Sequence, residues 1–96
     1  MKVIWSEEAR AALLALEERL ARRYSGERAA EIVDTLVERV ARLEDNPQLG
    51  RIVPEYGRWQ LRELVDNWNR VLYRLLPDSI EIATIVPGRI PLPEND

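Results

Sequence analysis

Apolar positions along the chain fall into two helical stretches followed by three strand-like ones. From Glu7 to Tyr24, the residues Ala9, Ala12, Leu13, Leu16, Leu20 and Tyr24 recur at intervals of three and four, which predicts one amphipathic helix. Glu17, Glu18, Arg19, Arg22 and Arg23 fall mostly on its other side. Ser6 before Glu7 and Glu8 is a good N-cap with acids placed at the positive end of the helix dipole. Alanine at position 9 leaves the full capping box incomplete. A second stretch, Glu27 to Leu43, carries a seam of Ala29, Val33, Leu36, Val40 and Leu43, widened by Ile32 and Val37. Between the two, Ser25-Gly26 breaks the pattern, Gly26 as a left-handed C-cap or Ser25 as the next N-cap. So short a connection predicts an antiparallel helical hairpin. Asp45-Asn46-Pro47 ends it, because proline cannot continue the helical ladder.

The rest of the chain reads as β-structure. Val3-Ile4-Trp5 predicts a short first strand ahead of the helices. Gln48 to Arg58 is punctuated by Gly50, Pro54 and Gly57 and reads as a loop, yet Leu49, Ile52, Val53 and Tyr56 predict that it packs across the domain. Three runs follow, beginning at Trp59, Asn69 and Ser79, with turns at Asp66-Asn67 and Pro77-Asp78. Val71, Tyr73 and Leu75 alternate cleanly in the second run, and Ile80 and Ile82 share a face in the third. The first run does not alternate: Leu61 and Val65 share a parity while Leu64 sits with Arg62, which points to burial on both faces or to a bulge. The expected fold is α+β in the order β-α-α-β-β-β, a helical hairpin packed on a small, mostly antiparallel sheet. Residues 1–96 form one expected domain, with 87–96, rich in Pro and Gly, as an irregular tail.

Composition narrows the chemistry. With no cysteine and no histidine, thiolate chemistry, Ser-His and Cys-His arrangements and the usual zinc sites are excluded. No metal or other cofactor is expected. A net charge of −3 argues against bulk attraction to nucleic-acid phosphates, so no direct sequence-specific nucleic-acid binding is expected. Of the 14 basic residues only Lys2 is a lysine, and arginine is the better bidentate partner for phosphate and carboxylate. No run approaches membrane-spanning length, so a cytoplasmic protein without a membrane partner is expected. Arg62, Arg70 and Arg74 lie on the predicted strands, as an anionic-partner patch or as a solvated face pairing with Glu55, Glu63 or Asp66. Trp5 and Tyr73 read as core. Trp68 falls in a predicted turn, where an aromatic ring is either a partner contact or an ordinary turn residue.

Taken in order, several segments resemble toxins of the RelE/ParE superfamily from type II toxin–antitoxin pairs. Lys2-Val3-Ile4-Trp5-Ser6-Glu7-Glu8-Ala9 is similar to their opening, and Asn46 to Glu55 to their helix-to-strand loop. Leu61 to Val65, Arg70 to Arg74 and Ile80 through Arg89 follow their sheet. The resemblance covers nearly the whole chain and is closest to the ParE-like branch, given long paired helices and an end soon after the last strand. It implies a toxin that inhibits DNA gyrase by binding and is neutralised by a cognate antitoxin, with Arg62, Arg70, Arg74, Trp68 and Arg89 toward the target. The antitoxin is expected in the apolar groove of the helical hairpin and at an exposed sheet edge. The alternative is a RelE-like, ribosome-dependent mRNA endonuclease built on Arg62, Arg74 and Arg89. Against it, Pro87 stands where the superfamily often has a histidine, and no His or Tyr follows Tyr73 to transfer a proton. A third reading is a non-toxic or artificial member that keeps only the fold.

Overall fold

The computed structural model describes residues 1–88 and 91–93. Helix α1 spans Glu7–Arg23 and helix α2 spans Gly26–Ala41. Each begins at a serine. The Ser6 hydroxyl accepts from the Ala9 amide at 3.0 Å, and the Ser25 hydroxyl from the Arg28 amide at 3.0 Å, each satisfying one of the open donors at a helix start. Ser25 is therefore the N-cap of α2, and Gly26 is its first residue. Ser6 does more than cap. Its hydroxyl donates to the Ala83 carbonyl at 2.9 Å and its amide to the Ile82 carbonyl at 3.0 Å, which ties the start of α1 to the last strand. The predicted seam of α2 is buried throughout: Ala29, Val33, Leu36, Val40, and Leu43 in the short 3-10 turn Arg42–Glu44 that follows. Fully burying a Val or Leu side chain is worth roughly 1.5–3 kcal/mol, so this row holds the hairpin against the sheet. Tyr24 departs from the reading. It caps α1 and stands 58% exposed, because the chain has already turned away from the core.

Five strands form one sheet in the order β1-β5-β4-β3-β2. They are β1 (Lys2–Trp5), β2 (Arg51–Ile52), β3 (Leu61–Asp66), β4 (Asn69–Leu75) and β5 (Ser79–Pro87). β1 runs parallel to β5 and the remaining pairs are antiparallel, so the α+β, mostly antiparallel expectation holds. The short strand β2 lies inside the segment read as a loop; two residues are too few to show a period. β5 runs on through Pro87, one residue into the expected tail.

Register explains the core. Leu64 faces Val71 and Val71 faces Ile85; Tyr73 faces Ile82, which faces Trp5 on β1. This row packs with Ala9, Leu16, Leu36, Val40 and Leu43 of the helical layer. Strict alternation along β5 would put Ile85 on the opposite side from Ile80 and Ile82. A register shift between Leu72 and Tyr73, opposite the additional residue Ala83, corrects this and keeps all three isoleucines buried. The bulge thus lies at β4–β5 rather than in the first predicted run. In β3, Arg62, Glu63 and Leu64 are all buried, so both faces are covered there. No helix among the described residues is long and apolar enough to cross a membrane.

Tyr73 carries the helix-to-sheet loop. Its buried hydroxyl donates to the Pro47 carbonyl at 2.9 Å and accepts from the Gly50 amide at 2.8 Å, and burial pushes its pKa up. Gly50 is pressed against this site. A Cβ there would lie 2.4 Å from the Glu63 carbonyl oxygen and 2.7 Å from the Tyr73 hydroxyl. Gly50→Ala should therefore destabilise the fold by about 1–3 kcal/mol in urea denaturation. An unchanged midpoint would mean that the loop is not packed this closely.

Candidate functional site

The expected arginine patch is split between the two faces of the sheet. Arg62 faces Tyr73 in register and so belongs to the helix-side row. Its side chain is buried, with Nε donating to the Trp59 carbonyl at 3.1 Å and Nη1 to the Gly50 carbonyl at 3.2 Å. The guanidinium stacks 5.0 Å from the centre of the Trp59 ring. It closes the loop between β2 and β3 rather than facing a partner.

Arg70, Leu72 and Arg74 point to the other, helix-free face, together with Glu63 and Glu81. Arg70 is buried there between two carboxylates. Its Nε donates to Glu63 Oε1 at 2.7 Å; Nη1 and Nη2 grip Glu55 in a bidentate pair at 2.8 and 2.7 Å. Glu63, with a fully buried side chain, also accepts from Arg51 Nε at 2.6 Å. Glu55 in turn accepts from the Leu92 amide at 3.1 Å, and Tyr56 donates its hydroxyl to the Pro93 carbonyl at 2.9 Å. One network thus joins β2, β3, β4, the loop after β2 and the C-terminal segment. The hydrogen bonds from Arg70, followed by the Leu92 amide, hold the Glu55 carboxyl near pKa 2 instead of 4.5. The same contact with Glu55 raises the pKa of Arg70 further above its ordinary value.

This corrects the reading of Arg62 and Arg70. The pairing of Arg70 with Glu55 and Glu63 was one of the two expectations, but the pair is buried rather than solvated. Arg74 is half exposed and bridges to Glu81 at 2.6 Å. Trp68 is exposed at the hairpin tip. Arg89 lies outside the described residues. Parity held the missing signal: Arg62 shares its face with Leu64, whereas Glu63 sits diagonal to Arg70 across β3–β4.

Concave surfaces among the described residues include two of good size. The larger, about 1060 Å³, lies between the helix-free face and the loop after β2, walled by Val53, Tyr56, Trp59, Leu61, Leu72 and Arg74. The smaller, about 510 Å³, runs beside the free edge of β1 and is lined by Ile4, Trp5, Leu13 and Val37, with Lys2 and Arg10 at its rim. Among the described residues no group of three or more His, Cys, Asp or Glu side chains is placed to hold a metal ion.

Against this geometry, residues 3–91 match the family profile described as the ParE toxin of the type II toxin–antitoxin system parDE. The chain belongs to the ParE toxin family. A solved structure titled "Chromosomal ParDE TA system from P. aeruginosa" superposes with a TM-score of 0.78 at 24% identity, covering 91% of this chain and 95% of that one. At that identity the likeness bears on the fold, which is the ParE fold described above. No curated protein sequence matches the chain. Among the described residues, the helix-free face and the β1 edge each carry a concave surface, and the ion network lies on the first.

Acid should weaken that network in a defined window. The folded-state pKa of Glu55, about 2, lies below its ordinary 4.5, so its contribution is complete above roughly pH 5 and is lost as pH falls through 4.5 toward 2. Thermal melts between pH 7 and pH 2 should show a steeper loss below pH 5 in the wild type than in Glu55→Gln. Parallel curves would remove Glu55 from the acid response.

Proposed function

We propose that this ParE-family toxin arrests growth by binding DNA gyrase, and that a cognate antitoxin neutralises it. The observation that carries the reading is the match to the ParE toxin family over nearly the full chain. The site chemistry supports binding over cleavage. Arg62 and Arg70 use their donors on backbone carbonyls and carboxylates of the same chain, and the Tyr73 hydroxyl is occupied at both its donor and its acceptor side. A phosphate-cleaving site needs such groups directed at the substrate. Target contact is left to the exposed part of the surface, where Arg74 and Trp68 stand, together with the C-terminal segment around Arg89.

We assign the antitoxin to the other surface. The groove beside β1 offers Ile4, Trp5, Leu13 and Val37 as an apolar floor and an open strand edge next to it. An extended or helical segment with apolar anchors fits both. The two surfaces lie at different parts of the sheet, so neutralisation at β1 acts on the target face through the bulk of the bound antitoxin or through competition for the whole toxin.

Induced expression in a bacterium tests this, with plasmid topology and mRNA integrity followed in one culture. Growth arrest with altered supercoiling or DNA damage and intact transcripts is the expected outcome. Arrest with shortened transcripts would instead make the protein an RNA-cleaving toxin, and no arrest would leave a ParE fold without toxic activity.

A further inference from the structure

After β5 the chain is tied down at two further points. The Gly88 amide donates to the Trp68 carbonyl at 2.6 Å, and the Leu92 amide donates to Glu55 Oε2 at 3.1 Å. The Tyr56 hydroxyl then donates to the Pro93 carbonyl at 2.9 Å. Arg89, Ile90 and Pro91 therefore lie between two fixed points, one at the β3–β4 turn and one at the loop after β2. Terminal segments stay loose unless they are tied in this way.

The second tie is matched to the sequence it holds. In Pro91-Leu92-Pro93 two residues have a fixed φ and no N–H, so Leu92 supplies the one amide, and Glu55 takes it. Two prolines also leave the segment less freedom to lose when it docks. Glu55 is a firm post. Its carboxylate is already gripped by both terminal nitrogens of Arg70, which fixes its place, and it has a lone pair left for the amide. The post is set by an ion pair whose arginine is buried, whereas the segment is fastened to it by hydrogen bonds at the surface.

The tie adds nothing to the core. Strand pairing ends at Pro87, and none of residues 91–93 belongs to the buried apolar cluster. What the tie sets is the place of the segment itself. Tyr56, which holds Pro93, is also a wall of the larger groove, so the segment is fastened at the rim of that groove. A binding segment already held in place gives up less freedom when its target arrives.

We propose that Glu55 and Tyr56 are positioning residues, which clasp the C-terminal segment at the rim of the larger groove and so present it to the protein that the toxin arrests. This rests on the toxin reading above and adds what holds the target-binding segment in place. The clasp acts through the segment, and neither side chain has to touch the target.

The clasp can be opened without disturbing the ion network. Leu92→Pro removes the amide and Tyr56→Phe removes the hydroxyl, while Glu55, Glu63 and Arg70 are left as they are. The double variant should melt at the wild-type temperature. Quantified by immunoblot in an induced culture, it should need about tenfold more protein or more to halt growth. Leu92→Ala, which shortens the side chain and keeps the amide, should arrest growth close to the wild-type protein level. Arrest by the double variant at the wild-type level would overturn the proposal while leaving the toxin reading intact. A clearly lower melting temperature would overturn it in favour of a purely structural tie. A loss in Leu92→Ala as large as in the double variant would also overturn it, because the target would then need the Leu92 side chain rather than its tethered amide. If the wild type itself fails to arrest growth, the toxin reading falls and the role of the clasp falls with it.

Discussion

Glu63 is a carboxylate with no exposed side-chain surface, and much of the order on the helix-free face of the sheet follows from how it is satisfied. A lone charge in that position would be strongly disfavoured. Arg70 and Arg51 supply opposite charge and directed hydrogen bonds from adjoining strands. Arg70 then brings in Glu55, and Glu55 brings in the Leu92 amide. The loop after β2 is therefore held down by charge at Glu55 and by packing at Val53, and the C-terminal segment is held to that loop. Removing one partner of such a buried pair costs on the order of 3–5 kcal/mol, because the other charge is left behind. Glu55 belongs to the same loop as Val53 and Tyr56, which wall the larger groove, so this chain of contacts anchors that wall from behind.

The helical layer was legible from the sequence because its signal is long and regular. All five residues of the α2 seam are buried, and both serines act as caps. β4 and β5 were legible from alternation, and β1 and β3 from β-branched and aromatic residues and the turns that bound them. What stayed hidden has local causes. β2 is two residues long. The additional residue at Ala83 changes the parity of β5 without any glycine or proline to mark it. The arginines left two readings open, a patch or a face paired with acids, because position along each strand, which sends Arg62 to one face and Arg70 and Arg74 to the other, was not used to choose between them. Pairing of Arg70 with Glu55 or Glu63 was one of the two expectations; the fold shows that both carboxylates meet it and that the network is buried.

Ser6, Ser25, Gly50 and the α2 seam all agree with the structure around them. Arg62 and Arg70, by contrast, were expected at a target surface and are accounted for by contacts within the chain. The division of labour proposed for this ParE-family toxin follows: arginines build the face, Glu55 and Tyr56 hold the C-terminal segment beside it, and the apolar groove at the β1 edge receives the antitoxin.

The claim that a buried ion network orders the helix-free face is tested most directly by amide hydrogen exchange on Arg70→Ala. The account predicts that protection falls at Val53 and through the loop to Leu61, and at the Leu92 amide, while Leu36 and Val40 in the α2 seam stay protected. Protection of the loop and of Leu92 at wild-type levels in that variant would contradict it, and would mean that the face keeps its shape without the network.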